Sequence, residues 1–152
     1  MPLNLPQFEY KFKKEGGKTF LFDIIRKKYV VLTPEEWVRQ HFIHYLINQY
    51  KYPRSLIKIE TGHKFNSLQK RSDIVIYDRQ GKSFLLVECK SINENISPKV
   101  FDQIGVYNLT IQAKYLIVTN GMSHYCCSID RKNKSFTFLN DIPDFEKEDS
   151  ES

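Results

Sequence analysis

Two acids and a lysine are spaced to act together. Asp73 and Glu88 lie in two runs of strand-forming residues, Ser72–Tyr77 and Ser83–Lys90, which flank the Gly-containing turn Asp78-Arg79-Gln80-Gly81-Lys82. If Asp78 pairs with Ser83, then Tyr77 faces Phe84, Val75 faces Leu86 and Asp73 faces Glu88. Side chains alternate along a strand, so Asp73, Glu88 and Lys90 fall on one side, and Ile74, Ile76, Leu85, Val87 and Cys89 on the other. Directly opposed side chains have Cβ atoms about 4.5–5.5 Å apart. Two carboxylates that close repel, and a divalent cation is the natural compensation. Mg2+ takes hard oxygens, accepts one or two protein carboxylates, and fills its remaining positions with water and phosphate. The backbone carbonyl of Cys89 is a further oxygen for the same ion. This set suits phosphodiester hydrolysis: the metal polarises the phosphoryl group and lowers the pKa of a bound water. Lys90 would orient that water or offset charge developing on the phosphate.

The elements that must position these residues follow from pattern. Phe8–Lys13, Thr19–Arg26 and Lys28–Leu32 read as short strands, with a hairpin turn at Gly16-Gly17. Thr33-Pro34-Glu35-Glu36 starts a helix that runs to about Tyr50, with Thr33 as N-cap and Pro34 at the first helical position. Its expected core stripe is Val38, Phe42, Tyr45, Leu46 and Gln49, flanked by Trp37, His41 and His44. Strand Ser55–Thr61 precedes the central hairpin. A second helix is expected from Ser97-Pro98 to Gln112, then strand Lys114–Thr119 and a last hairpin, Ser123–Asp130 and Ser135–Leu139. The order after the first strands is α-β-β-β-α-β, an α/β domain with a mixed sheet. The expected boundaries are a single domain over 1–143 (N-terminal hairpin 8–32, core 33–121, C-terminal hairpin 122–140) and an acidic flexible tail over 144–152.

Composition limits the partners. The 152 residues, 41% hydrophobic and 27% charged, are enough for one packed domain and too few for a large motor. Gly17-Lys18-Thr19 does not complete a phosphate-binding loop, because Phe12 stands where the leading glycine belongs. No apolar run is long enough for a membrane span. The N-terminal residues lack signal-peptide character, and three cysteines without an export signal fit a cytoplasmic protein. The net charge is +5, but five acids and one base sit in residues 144–152, leaving +9 on residues 1–143. A basic body with an acidic tail suits a phosphate backbone as partner.

Asp73, fourteen intervening residues, then Glu88-Cys89-Lys90 resembles the D…(D/E)-x-K signature of the PD-(D/E)XK nuclease superfamily. Lys28–Gln40, Arg71-Ser72-Asp73, Val87–Lys90 and Val118-Thr119-Asn120-Gly121 together resemble the N-terminal nuclease domain of type I restriction enzyme R subunits, over roughly residues 8–140. Ser72 stands where the superfamily name has proline. The resemblance implies a restriction-endonuclease-like α-β-β-β-α-β core, its mixed central sheet flanked by helices, with N-terminal and C-terminal β-hairpins. It implies Mg2+-dependent DNA cleavage, with Mn2+ able to substitute, Asp73 and Glu88 as metal ligands and Lys90 as the catalytic lysine. Glu36 is similar to the additional acid that many members place near the metal. Gln103 and Tyr107, four apart on the second helix, resemble a Q-x-x-x-Y element in which the glutamine supports the site and the tyrosine lies near substrate. Lys64, Lys70 and Arg71 are the expected phosphate contacts, with Arg26, Lys27, Lys28, Lys51 and Arg54 as further candidates. No motor or target-recognition domain accompanies the signature, so specificity would come from a homodimer or from a separate specificity or motor protein. The competing reading is a catalytically silent nucleic-acid-binding or scaffold module on the same fold.

Each of these residues also has an ordinary reading. Charges on a strand face are commonplace. Glu36 suits a first-turn capping role. His41 and His44 with Cys126-Cys127 do not make a zinc site, because adjacent strand residues point to opposite faces.

Overall fold

In a computed structural model, residues 2–63, 71–101 and 112–145 are described, apart from the side chains of 61–63 and 71–73. The chain opens with a three-stranded antiparallel sheet: β1 (Phe12–Glu15), β2 (Lys18–Asp23) and β3 (Lys28–Val31). Gly16 and Gly17 join β1 to β2 with φ of +60° and +77°, as a tight hairpin requires. Strand β1 begins later than alternation predicts. Phe8 and Tyr10 leave the ladder and pack on helix α1 (Pro34–Asn48): Phe8 stacks on His44 at 3.9 Å between ring centroids, and Tyr10 stacks on Trp37 at 5.1 Å. Strand β2 stops at Asp23, not Arg26, because the Asp23 carboxylate accepts the Ile25 and Arg26 backbone N–H groups and forms a turn.

The main sheet has six strands in sequence order: β4 (Ile57–His63), β5 (Arg71–Tyr77), β6 (Ser83–Cys89), β7 (Tyr115–Thr119), β8 (His124–Asp130) and β9 (Ser135–Leu139). β6 and β7 are parallel and the other neighbours antiparallel, so the sheet is mixed, as the sequence predicts. The last hairpin is not an appendage. β8 pairs with β7 and continues the central sheet. No helix among the described residues is long and apolar enough to cross a membrane.

The two faces of the sheet carry different cores. Ile74, Ile76, Leu85, Val87, Cys89, Ile117 and Cys126 pack with Val38, Phe42, Ile43 and Leu46 of α1. This is the aliphatic face that alternation assigns to a helix. Val75, Leu86, Leu116, Val118 and Cys127 form the other face, covered by Phe101 and Ala113. The second helix expected between Ser97 and Gln112 falls mostly on residues 102–111, outside the described residues. Cys126 and Cys127 belong to opposite cores, as adjacent strand residues must.

Helix α1 differs from its expected stripe. Gln49 is exposed and lies past the helix end, while Ile43 and the polar residues Glu36, Arg39, Gln40 and His41 are buried. The cause is a second layer: the N-terminal segment and the β2–β3 turn cover the face of α1 turned away from the main sheet. His41 donates Nδ1–H to the Trp37 carbonyl at 2.8 Å and accepts from the Tyr10 hydroxyl at 3.0 Å, a satisfied structural histidine. Burial lowers the pKa of His41 and His124, and burial with Arg54 and His41 nearby lowers that of His44 to about 4. A depressed folded-state histidine pKa means that the unfolded chain binds more protons below pH 6.5. Stability is therefore full above that pH and declines as pH falls toward 4. Thermal unfolding at pH 7.5, 5.5 and 4.5 should show this decline, and His44→Phe should flatten it.

Beyond β9 the chain returns to the first core. Tyr52 donates its hydroxyl to the Pro143 carbonyl at 2.6 Å, and Phe145 is fully buried against Phe84 and Tyr52. Packing thus extends two residues into the segment that charge alone assigns to the tail. Phe145→Ala should cost about 3 kcal/mol, read as a lower urea midpoint with an unchanged m-value.

Candidate active site

The register of the main sheet puts three acidic positions in one row. Asp73 of β5 pairs with Glu88 of β6, the pairing that the hairpin predicts. On its other side Asp73 pairs with Glu60 of β4. Ile74, Val75 and Ile76 also keep the expected register against Val87, Leu86 and Leu85. The expectation fails only near the turn. Tyr77 pairs with Ser83, not Phe84, and the register shifts between Ile76 and Tyr77. Phe84 is the extra residue of a bulge, which lets its ring join Tyr52, Tyr115 and Phe145 in the first core.

Glu88 is 3% exposed, and its Oε1 lies 3.4 Å from the Lys90 Nζ. Lys90 immediately follows β6, and its backbone N–H extends the parallel ladder by donating to the Thr119 carbonyl at 2.8 Å. The half-buried ammonium therefore stays on the Glu88 side of the sheet. Glu60 also acts on this face: burial, then the Glu60 charge, raises the Tyr77 pKa. Among the described residues no three His, Cys, Asp or Glu side chains gather as a metal site. Asp73 and Glu88 hold paired positions on β5 and β6, and Mg2+ accepts one or two protein carboxylates with water for the rest.

The Thr119-Asn120-Gly121 run holds the segment after Lys90. The Asn120 Oδ1 accepts the Met122 and Ser123 N–H groups at 3.0 and 2.8 Å, and its Nδ2 donates to the Glu94 carbonyl at 2.8 Å. The Thr119 Oγ1 accepts the Gly121 N–H and lies 2.7 Å from the His124 Nδ1. Because His124 Nε2 donates to the Asn4 carbonyl, Nδ1 is the acceptor and the Thr119 hydroxyl donates to it. Gly121 has φ of +86°, and a Cβ there would meet Leu3 at 2.9 Å and Val38 at 3.1 Å. The positive φ is what favours glycine at this turn, and a Cβ would also displace the Leu3 side chain. These contacts tie the end of β7, the N-terminal segment and α1 to the loop that carries Lys90.

Glu36 lies in the first turn of α1, with Oε1 paired to the guanidinium groups of Arg26 and Arg39 and Oε2 accepting from the Gln40 amide at 3.3 Å. Thr33 caps the helix by accepting the Glu36 N–H at 3.1 Å. Burial opposes the charge of Arg26, but hydrogen bonds to Glu36 and Asp23 raise its pKa overall. Lys64, Lys70, Gln103 and Tyr107 lie outside the described residues. Arg71 is placed only as a β5 position opposite His63. The residue missed by sequence reasoning is Glu60. Pairing the strand before the hairpin against Ser72–Tyr77 would have found it, but no turn signature sets that register.

A family model described as the type I restriction enzyme R protein N terminus matches residues 34–143, over two thirds of the chain. No curated protein and no solved structure matches it.

Proposed function

The chain belongs to the type I restriction enzyme R protein N-terminal family, and from that membership we propose that it is a metal-dependent DNA endonuclease domain that hydrolyses phosphodiester bonds at the Asp73–Glu88–Lys90 row. The observation that carries the proposal is the register of Asp73 against Glu88 with Lys90 beside Glu88. In this reading Asp73 and Glu88 hold Mg2+ or Mn2+, the Cys89 backbone carbonyl adds an oxygen, and Glu60 is the third acid at the margin. The metal, when bound, supplies Lewis-acid stabilisation of phosphoryl charge and lowers the pKa of a water. Lys90 donates to the scissile phosphate or holds the attacking water, and exchanges its pairing with Glu88 for that task. Glu36 holds α1 to the β2–β3 turn and acts on the site only by position. Gln103 and Tyr107 keep their proposed supporting and substrate-side roles. DNA and the partner subunits of a restriction complex are the partners this reading expects, with a homodimer as the other assembly to test. The PD-(D/E)XK assignment belongs to the same proposal.

Two measurements test it: calorimetric titration with Mn2+, and nicking of supercoiled plasmid in Mg2+. Metal binding with nicking supports the domain as an enzyme. Metal binding with no cleavage of any DNA form leaves a silent binding module.

A further inference from the structure

The β2–β3 turn and the edge strand β4 enclose an open cleft of ≈ 560 Å³. Arg26 and Lys27 line it from the turn, Arg54 and Lys58 from the other wall, and Glu60 stands at one end. Arg26 is committed to Asp23 and Glu36. Lys27, Arg54 and Lys58 are exposed, and none forms an ion pair with a described residue. Among the described residues β4 pairs only with β5, which makes it an edge strand of the main sheet. Lys58 stands in register with Val75, and Glu60 with Asp73, which faces Glu88. Lys58 thus stands two residues along β4 from the acidic row.

We propose that this cleft binds the phosphodiester backbone of DNA and delivers it to the Asp73–Glu88–Lys90 row. The delivery rests on the nuclease reading; the binding does not. The competing occupant of an edge strand is a peptide that adds another strand. Exposed lysine on an edge discourages such pairing, and three uncommitted cations favour a polyanion.

The test uses a short fluorescent duplex and anisotropy in EDTA, where neither metal nor cleavage contributes. Lys27→Gln/Arg54→Gln/Lys58→Gln should bind at least about tenfold more weakly than wild type at low salt. Its slope of log affinity against log salt should fall by roughly two to three. The charge-matched Arg131→Gln/Lys132→Gln/Lys134→Gln variant, altered at the β8–β9 turn, should stay within about twofold of wild type. Equal losses in the two variants, or an unchanged slope in the cleft variant, would overturn the proposal. Mn2+ titration of the same proteins separates the two readings. No Mn2+ binding with the DNA loss intact removes the nuclease and keeps the cleft; Mn2+ binding with DNA affinity unaltered in the cleft variant does the reverse.

Discussion

Glu88→Gln should lower plasmid nicking by about 10³-fold or more while the protein folds as wild type. The substitution keeps the shape of a side chain that is 3% exposed in the middle of the main sheet, so packing changes little. What it removes is the negative charge at the position paired with Asp73 and the partner of Lys90. A catalytic metal contributes several kcal/mol of transition-state charge stabilisation, and each 1.36 kcal/mol is tenfold in rate. Losing half of the carboxylate pair that would hold the ion should forfeit most of that. Asp73→Asn should behave alike, and both should weaken Mn2+ binding in calorimetry. A Glu88→Gln protein that nicks within threefold of wild type would show that cleavage, if present, takes place elsewhere on the chain.

The pairing behind that expectation was legible because it is local. Ile74, Ile76, Leu85, Val87 and Cys89 alternate with Asp73, Val75, Leu86 and Glu88, and a register slip by one residue would turn an aliphatic face to water. Alternation thus restricts the hairpin to registers that keep Asp73 and Glu88 on one face, and the register found is one of these. Its tip was not legible. The Phe84 bulge exists because that ring completes a core with Tyr52 and Phe145, residues far away in the chain. Glu60 was missed for a similar reason, since its register is set across the segment from 64 to 70 and not by turn chemistry. The Asn120 amide fixing the Glu94 carbonyl is a side-chain contact across 26 residues, which no periodicity announces. Glu36 shows the same limit. Its place in the first helical turn was readable from Thr33-Pro34, and Arg39 is its i,i+3 neighbour on the same helix, but its Arg26 partner depends on how the β2–β3 turn docks on the helix.

Those partners lead to the second large effect. Glu36→Ala should destabilise the fold by about 3–5 kcal/mol, the usual cost of removing one member of a buried ion pair. Glu36 is 7% and Arg39 1% exposed, so deletion of the carboxylate leaves the Arg39 guanidinium buried without this counter-charge. Arg26 is better protected, because Asp23 still holds its Nε. Gln40 loses the acceptor of its amide as well. The helix cap survives, since Thr33 bonds the Glu36 backbone and not its side chain. The loss should therefore appear as a lower urea midpoint for the whole domain rather than fraying of α1 alone. The more informative measurement is Mn2+ affinity in the folded variant at low temperature. A positioning residue leaves it within about threefold of wild type, whereas a metal ligand lowers it sharply with little change in stability. Glu36→Gln sharpens the contrast: it can still meet one guanidinium through its carbonyl oxygen, so stability should recover in part. If Glu36→Gln instead unfolds like wild type and loses Mn2+, then the carboxylate serves the metal and its two arginines are only its resting partners.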